Sequence, residues 1–212
     1  MKKNNGWIVV IAAIVLSFLP CLAGLLLWNK LPEKLPIHYS AENVADGFAG
    51  KLFGVLFLPL FCVALCLLFT LLLKRFMRDN IKLFTSVMLL PPLLSIGLQS
   101  MLLCNALGTE VSATAVSLVI VGIVCIPLGN YMPTVRPNGL VGARYPWIMD
   151  DPDAWEKTQR LTGKLLIIWG AAMFFSGLFN IGGESGMIAV MLVGPLILLV
   201  VTGVYSYAKA QE

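Results

Sequence analysis

Six stretches of the sequence, residues 6–28, 52–73, 83–107, 111–131, 161–181 and 187–207, are almost purely apolar and carry no acidic or basic side chain near their middles. That feature leaves few folds open. A bilayer core of roughly 30 Å is crossed by about 20 apolar residues in a helix, whereas a charge at mid-membrane costs about 2.5–3.5 kcal/mol. The chain is 58% hydrophobic and 12% charged, against about 45–50% and about 25% in soluble domains. Too little polar surface remains to coat a soluble core. The expected fold is therefore all-α, a polytopic membrane protein with six transmembrane helices. Pro20, Pro59, Pro91, Pro92, Pro127 and Pro195 fall inside these stretches. They are compatible with helices in lipid, because neighbouring helices can satisfy the carbonyls that a proline leaves without a donor.

Basic residues gather on the cytoplasmic side of membrane proteins. With the N-terminus inside, Lys2, Lys3, Lys74, Arg75, Arg78, Lys82, Arg136, Arg144, Lys157, Arg160, Lys164 and Lys209 flank inner ends, and only Lys30, Lys34 and Lys51 lie outside. This division of the 15 basic residues predicts that both termini are cytoplasmic. The net charge of +4 then reflects topology and gives no footprint for direct nucleic-acid binding. The first span lacks an A-x-A cleavage site and is long for a secretory signal, so it is expected to stay in the membrane.

Two connections are long. The outer one, residues 29–51, contains LPEKLPIHYSAENVADGFAGK. Pro32 and Pro36 fix their own φ and bias Leu31 and Leu35 to extended backbone, so residues 30–39 should leave the membrane as a stiff strip. Asn43, Asp46, Gly47 and Gly50 are turn formers, and Asn43 tolerates positive φ. Lys51 is expected to snorkel at the start of the second span. His38, the only histidine, reads either as a pH-sensitive or partner-binding contact or as a polar group bonding its own loop.

The inner connection, residues 130–164, begins NYMPTVRPNGLVGARYPWIMDDPDAWEKTQ. Pro133 ends the fourth span, and Asn138-Gly139 is a turn signal. Tyr145 and Trp147 suit the headgroup layer. Asp151 as N-cap, Pro152 at the first helical position, and Asp153 and Glu156 in the first turns predict a helix running unbroken into the fifth span. Capping also accounts for the acidic cluster better than a metal or acid–base role does. Arg144 is expected either to clamp a lipid phosphate or to pin the loop to carbonyls at a helix end.

Cys21, Cys62, Cys66, Cys104 and Cys125 all fall within spans and form no CxxC, so no disulfide, metal site or cofactor is expected. Gln99, Asn130 and Asn180 are the main polar residues in or beside the spans, and small residues such as Gly170, Ala171 and Ala172 permit close helix approach. An enzyme is not expected, because His38 and the acidic cluster lie on opposite sides.

The outer loop resembles the "LPxxhPhH…D…K" loop (h, apolar) of an N-terminal membrane domain of uncharacterised function, here through Pro32, Pro36, His38, Asp46 and Lys51. The inner loop resembles the signature of SdpI-type bacterial immunity proteins. Gly129, Asn130, Pro133, Asn138, Gly142, Arg144, Pro146, Trp147, Trp155 and Thr158 match it. Asn43 and Gly50 stand where relatives often have Gly and Ser, and both keep turn-forming ability. The resemblance implies a multi-pass protein of the bacterial plasma membrane in two units. Residues 1–73 would form the N-terminal membrane domain and residues 74–212 the SdpI-type domain. It further implies protection against a secreted membrane-active peptide toxin, and a receptor role in which a small cytoplasmic repressor is held at the membrane. Pro127 and Pro133, flanking Asn130, make the end of span four a candidate hinge for such a relay. The alternative is a small-molecule or lipid transporter, supported by the span prolines and by Gln99, Asn130 and Asn180; mid-membrane charges typical of ion-coupled transport are missing.

Overall fold

The computed structural model describes residues 5–40, 43–74 and 79–211. Lys2, Lys3, Arg75 and Arg78, used above for sidedness, lie outside them. The main elements are α1 (Asn5–Leu26), β1 (Lys34–Tyr39), β2 (Ala45–Gly50), α2 (Lys51–Leu72), α3 (Ile81–Met88), α4 (Leu90–Ala106), α5 (Ala113–Tyr131), α6 (Pro152–Phe179) and α7 (Gly183–Lys209). Six helical segments are long and apolar enough to cross a membrane, α3 and α4 together making the third. The third span, expected over residues 83–107, is thus jointed at Leu89. Pro91 and Pro92 lack the N–H groups that would bond the Val87 and Met88 carbonyls. As expected, α6 runs unbroken for 28 residues.

The in-helix prolines show how lipid-embedded backbone is satisfied. Pro59 cannot donate to the Val55 carbonyl. Gln99 of α4 is fully buried, and its Nε2 donates to the Gly54 carbonyl at 2.9 Å and to that of Val55 at 3.5 Å. The Cys21 thiol of α1 also reaches the Val55 carbonyl, at 3.8 Å. On α7, Trp169 of α6 donates to the Val190 carbonyl at 2.9 Å, one residue before Met191, whose carbonyl Pro195 leaves without its helical donor. At Pro59, helix packing and proline repair are therefore one set of contacts.

The most extensive helix pairing is α5 with α6. Its seam is set by glycines seven residues apart. A Cβ on Gly122, Gly129 or Gly177 would lie 2.6 Å from the carbonyl oxygen of Gly170, Gly163 or Ala115, respectively. The two backbones meet at these antiparallel levels, a closeness that only glycine permits. The candidate hinge near Asn130 adjoins this seam at Gly129.

In the first half, α1 packs on α2 and α4, and α4 links it to α5. The face of α7 bearing Leu192, Leu196 and Leu199 is exposed and apolar, as a lipid-facing surface must be. All five cysteines are free; Cys104 is exposed and the other four are buried.

Candidate functional site: a hairpin and a connector at opposite ends of the bundle

The connection after one membrane crossing and the connection after four must lie on opposite faces. The first is a β-hairpin. The expected extended strip is β1, but the stretch expected to be turns, Ala45–Gly50, is instead strand β2, antiparallel to it. The sequence ADGFAG has weak strand preference, and pairing overrides it. The turn expected at Asn43 does form: its φ is 60°, and the Ser40 N–H donates to the Val44 carbonyl at 2.8 Å. The ladder is irregular beside Pro36, which has no N–H to contribute.

Leu31 and Leu35 anchor the hairpin in a cluster with Val55, Leu102 and Leu103. Leu35 occupies the space left by Gly54, whose Cβ would come within 2.8 Å of it. Pro36 is buried and Pro32 exposed at the foot. His38 Nδ1 and Asp46 Oδ1 meet at 2.5 Å across the strands, both substantially exposed. These two were separate candidates in the sequence, and the register joins them. Lys51 does not simply snorkel. Its ammonium lies 3.5 Å from Glu33 and 5.2 Å from the Trp28 ring centre. Side chains also tie the hairpin to its neighbours. The Ala113 N–H donates to Asn43 Oδ1 at 2.8 Å, and Asn105 Nδ2 donates to the Tyr39 hydroxyl at 3.0 Å.

The second element is the connector from α5 to α6. Asn138 organises its turn: its Oδ1 accepts from the Leu140 and Val141 N–H groups, and its Nδ2 donates to the Arg136 and Val141 carbonyls. Arg144 donates to the Gly139 carbonyl, so it pins a turn within the loop rather than a helix end. Asp151 caps α6 as expected, accepting from the Asp153 and Ala154 N–H groups at 3.0 Å. Asp153–Lys157 and Glu156–Arg160 form ion pairs at 2.6 Å one turn apart, which absorbs most of the acidic cluster.

Trp155 is buried and its indole N–H donates to the Val135 carbonyl at 2.6 Å. Thr158, also buried, donates back to the Ala154 carbonyl. Tyr145 and Trp147 stack on each other and dock on the last turns of α7. The Tyr145 hydroxyl lies 2.9 Å from the Leu199 carbonyl, to which it donates, and 2.8 Å from the Thr202 hydroxyl; the Trp147 indole donates to the Ser206 hydroxyl at 3.0 Å. Pro146 begins the short turn that carries Trp147. Pro133 packs over Gly163. Asn130 stands apart, exposed on α5.

Sequence reasoning missed Gln159. It is fully buried, and its side-chain amide grips Ala143 at both ends: Oε1 accepts from the N–H at 3.0 Å and Nε2 donates to the carbonyl at 2.9 Å. Gly142 makes room for it, with φ of 119°, and a Cβ there would lie 2.9 Å from Gln159 Oε1. The available signal was position. Gln159 lies one turn after Trp155 and beside Thr158 and Thr162, on the inward stripe of α6.

The model of the SdpI/YfhL protein family matches residues 134–206, and that of a domain of unknown function, DUF1648, matches residues 15–63. Over 207 residues, 98% of this chain and 95% of the relative, the sequence is 31% identical to a Bacillus subtilis (strain 168) protein named Immunity protein SdpI. The chain belongs to the SdpI/YfhL family. It is a multi-pass protein of the bacterial plasma membrane. No solved structure matches it. The SdpI/YfhL match begins at Thr134, bonded by Asn80 at the start of α3, and ends at Ser206, bonded by Trp147. It therefore coincides with the connector, α6, and the part of α7 on which the connector docks.

Of the polar residues that suggested a transporter, two have structural roles, although Gln99 Oε1 is buried without a hydrogen-bond partner among the described residues. Gln99 serves the backbone beside Pro59, Asn180 is the left-handed cap that ends α6, and Asn130 is exposed.

Proposed function

We propose that this protein confers immunity on the cell that makes it, by meeting a secreted, membrane-active peptide at its hairpin face and engaging a cytoplasmic partner, a small repressor, at its connector face. The observation that carries this reading is the 31% identity to a named immunity protein over 98% of the chain. The basic-residue bias supports placing the hairpin outside. Lys82, Arg136, Arg144, Lys157 and Arg160 belong to the connector face, whereas Lys30, Lys34 and Lys51 belong to the hairpin face.

The division of labour fits the two sites. The hairpin offers exposed Val44 and Phe48 beside the His38–Asp46 pair, a mixed apolar and polar surface suited to an amphipathic peptide. The connector is pinned to α3, α6 and α7 by named hydrogen bonds, so a partner would meet a preformed surface there. Expression in a sensitive strain tests the immunity reading: survival against candidate peptides should rise with the wild-type protein, and its failure to rise would count against it. Sidedness is tested by single cysteines at Phe48 and Leu140, both exposed, in a background without native cysteines. A membrane-impermeant thiol reagent added to whole cells should label only the first.

A further inference from the structure

Between the hairpin and the adjoining ends of α2 and α4 lies a cavity of about 410 Å³. Strand β1, from Pro36 to Tyr39, roofs it, and Phe53, Phe57, Leu98 and Met101 are among its walls. Helix geometry gives its depth. Lys51 opens α2 at the polar boundary, and Phe57 lies less than two turns further on, about 9 Å deeper at 1.5 Å per residue. The cavity thus begins at headgroup level and reaches into the hydrocarbon.

Water is a poor occupant. A buried water needs two to four polar partners, and the lining is mostly apolar, its polar side chains being chiefly those of Tyr39 and His38. The Tyr39 hydroxyl is bonded by Asn105, and one ring nitrogen of His38 is bonded to Asp46. An empty apolar void is also unfavourable, because its lining loses dispersion contacts. Below the cavity the lining continues into a rail of phenylalanines. Phe53, Phe57 and Phe61 stack along α2 with ring centres 4.6 and 6.1 Å apart, each about half exposed. The rail joins the cavity to the lipid-facing surface without a polar interruption.

We propose that this cavity binds one acyl chain of a phospholipid from the leaflet on the hairpin side, inserted beneath β1 with its headgroup at the His38–Asp46 rim. This chain is held differently from the lipid around α7, because a folded hairpin covers it and two helices wall it.

The test uses the full-length protein in vesicles of phosphatidylethanolamine and phosphatidylglycerol. A small fraction of phosphatidylcholine carries a diazirine in the upper half of one acyl chain. After irradiation, labelled residues are mapped by mass spectrometry. Leu98 and Met101 should be labelled severalfold more than Leu192 and Leu196, which face lipid on α7. Leu98→Trp, which fills the cavity, should abolish the excess and leave α7 labelling unchanged. The wild-type map alone is decisive if that variant does not fold. Labelling no stronger than on α7 would overturn the proposal, including the case in which only a peptide added from the aqueous phase reaches the cavity. So would an excess that survives in a folded Leu98→Trp protein.

Discussion

Replacing Gln159 by leucine should free the connector while leaving the six-helix body folded. The amide of Gln159 makes both of its bonds to Ala143, at 3.0 and 2.9 Å. Each bond contributes about 1 kcal/mol net, but removing one partner exposes the larger asymmetry: an abandoned buried donor or acceptor costs about 1–3 kcal/mol. Leucine keeps the volume and leaves both the N–H and the carbonyl of Ala143 unpaired. Ala143 is only half-buried, so water recovers part of the loss, and the expected net effect is about 2 kcal/mol. The remaining anchors hold the two ends of the loop, Asn80 and Trp155 at Thr134 and Val135 and the docking of Tyr145 and Trp147 on α7, so the loss should appear as local opening between them. Hydrogen exchange of the amides of residues 141–145 in micelles should quicken about 30-fold, since 1.4 kcal/mol is tenfold. The thermal midpoint should move little. Unchanged exchange in Gln159→Leu would refute the reasoning, because the buried amide would then contribute nothing to holding the loop.

Gly129→Ile should push α5 from α6, because its Cβ would meet the Gly163 carbonyl at 2.6 Å; a loss of about 1–3 kcal/mol would appear as a lower thermal midpoint, whereas Gly139→Ala, with open space around it, should change nothing. Pro59→Ala restores an N–H beneath Val55, so Gln99→Leu should be better tolerated in that background than alone. A double-mutant cycle on thermal stability should give a coupling of about 0.5 kcal/mol or more, and strict additivity would sink the proline-repair account. Asp151→Ala removes the cap of α6 and should cost about 1 kcal/mol, read as faster hydrogen exchange at Asp153 and Ala154.

Much of the architecture was legible because membranes impose simple arithmetic. Apolar length gave six spans, and Asp151 with Pro152 marked where α6 begins. Asn43 was recognisable as a turn residue because few other side chains accept positive φ. The joint at Leu89 was written in Pro91 and Pro92 but was not read there, since either an unbroken or a jointed helix is compatible with two prolines. The hairpin was half visible. The prolines indicated extended backbone, but nothing in ADGFAG announced a strand, because its pairing partner supplies the stabilisation.

By itself the sequence determined which parts are in lipid, since hydrocarbon rejects charge and demands internal backbone bonding whatever the neighbours are. It also determined local caps and turns, which depend on residues a few positions apart. Only the tertiary structure decided who meets whom: His38 with Asp46, Gln159 with Ala143, Gln99 with the backbone beside Pro59, and the glycines of α5 with those of α6. Those pairings depend on helix order, rotation and depth. A helical period specifies that a side chain points inward, and only the packed neighbour determines what it finds there.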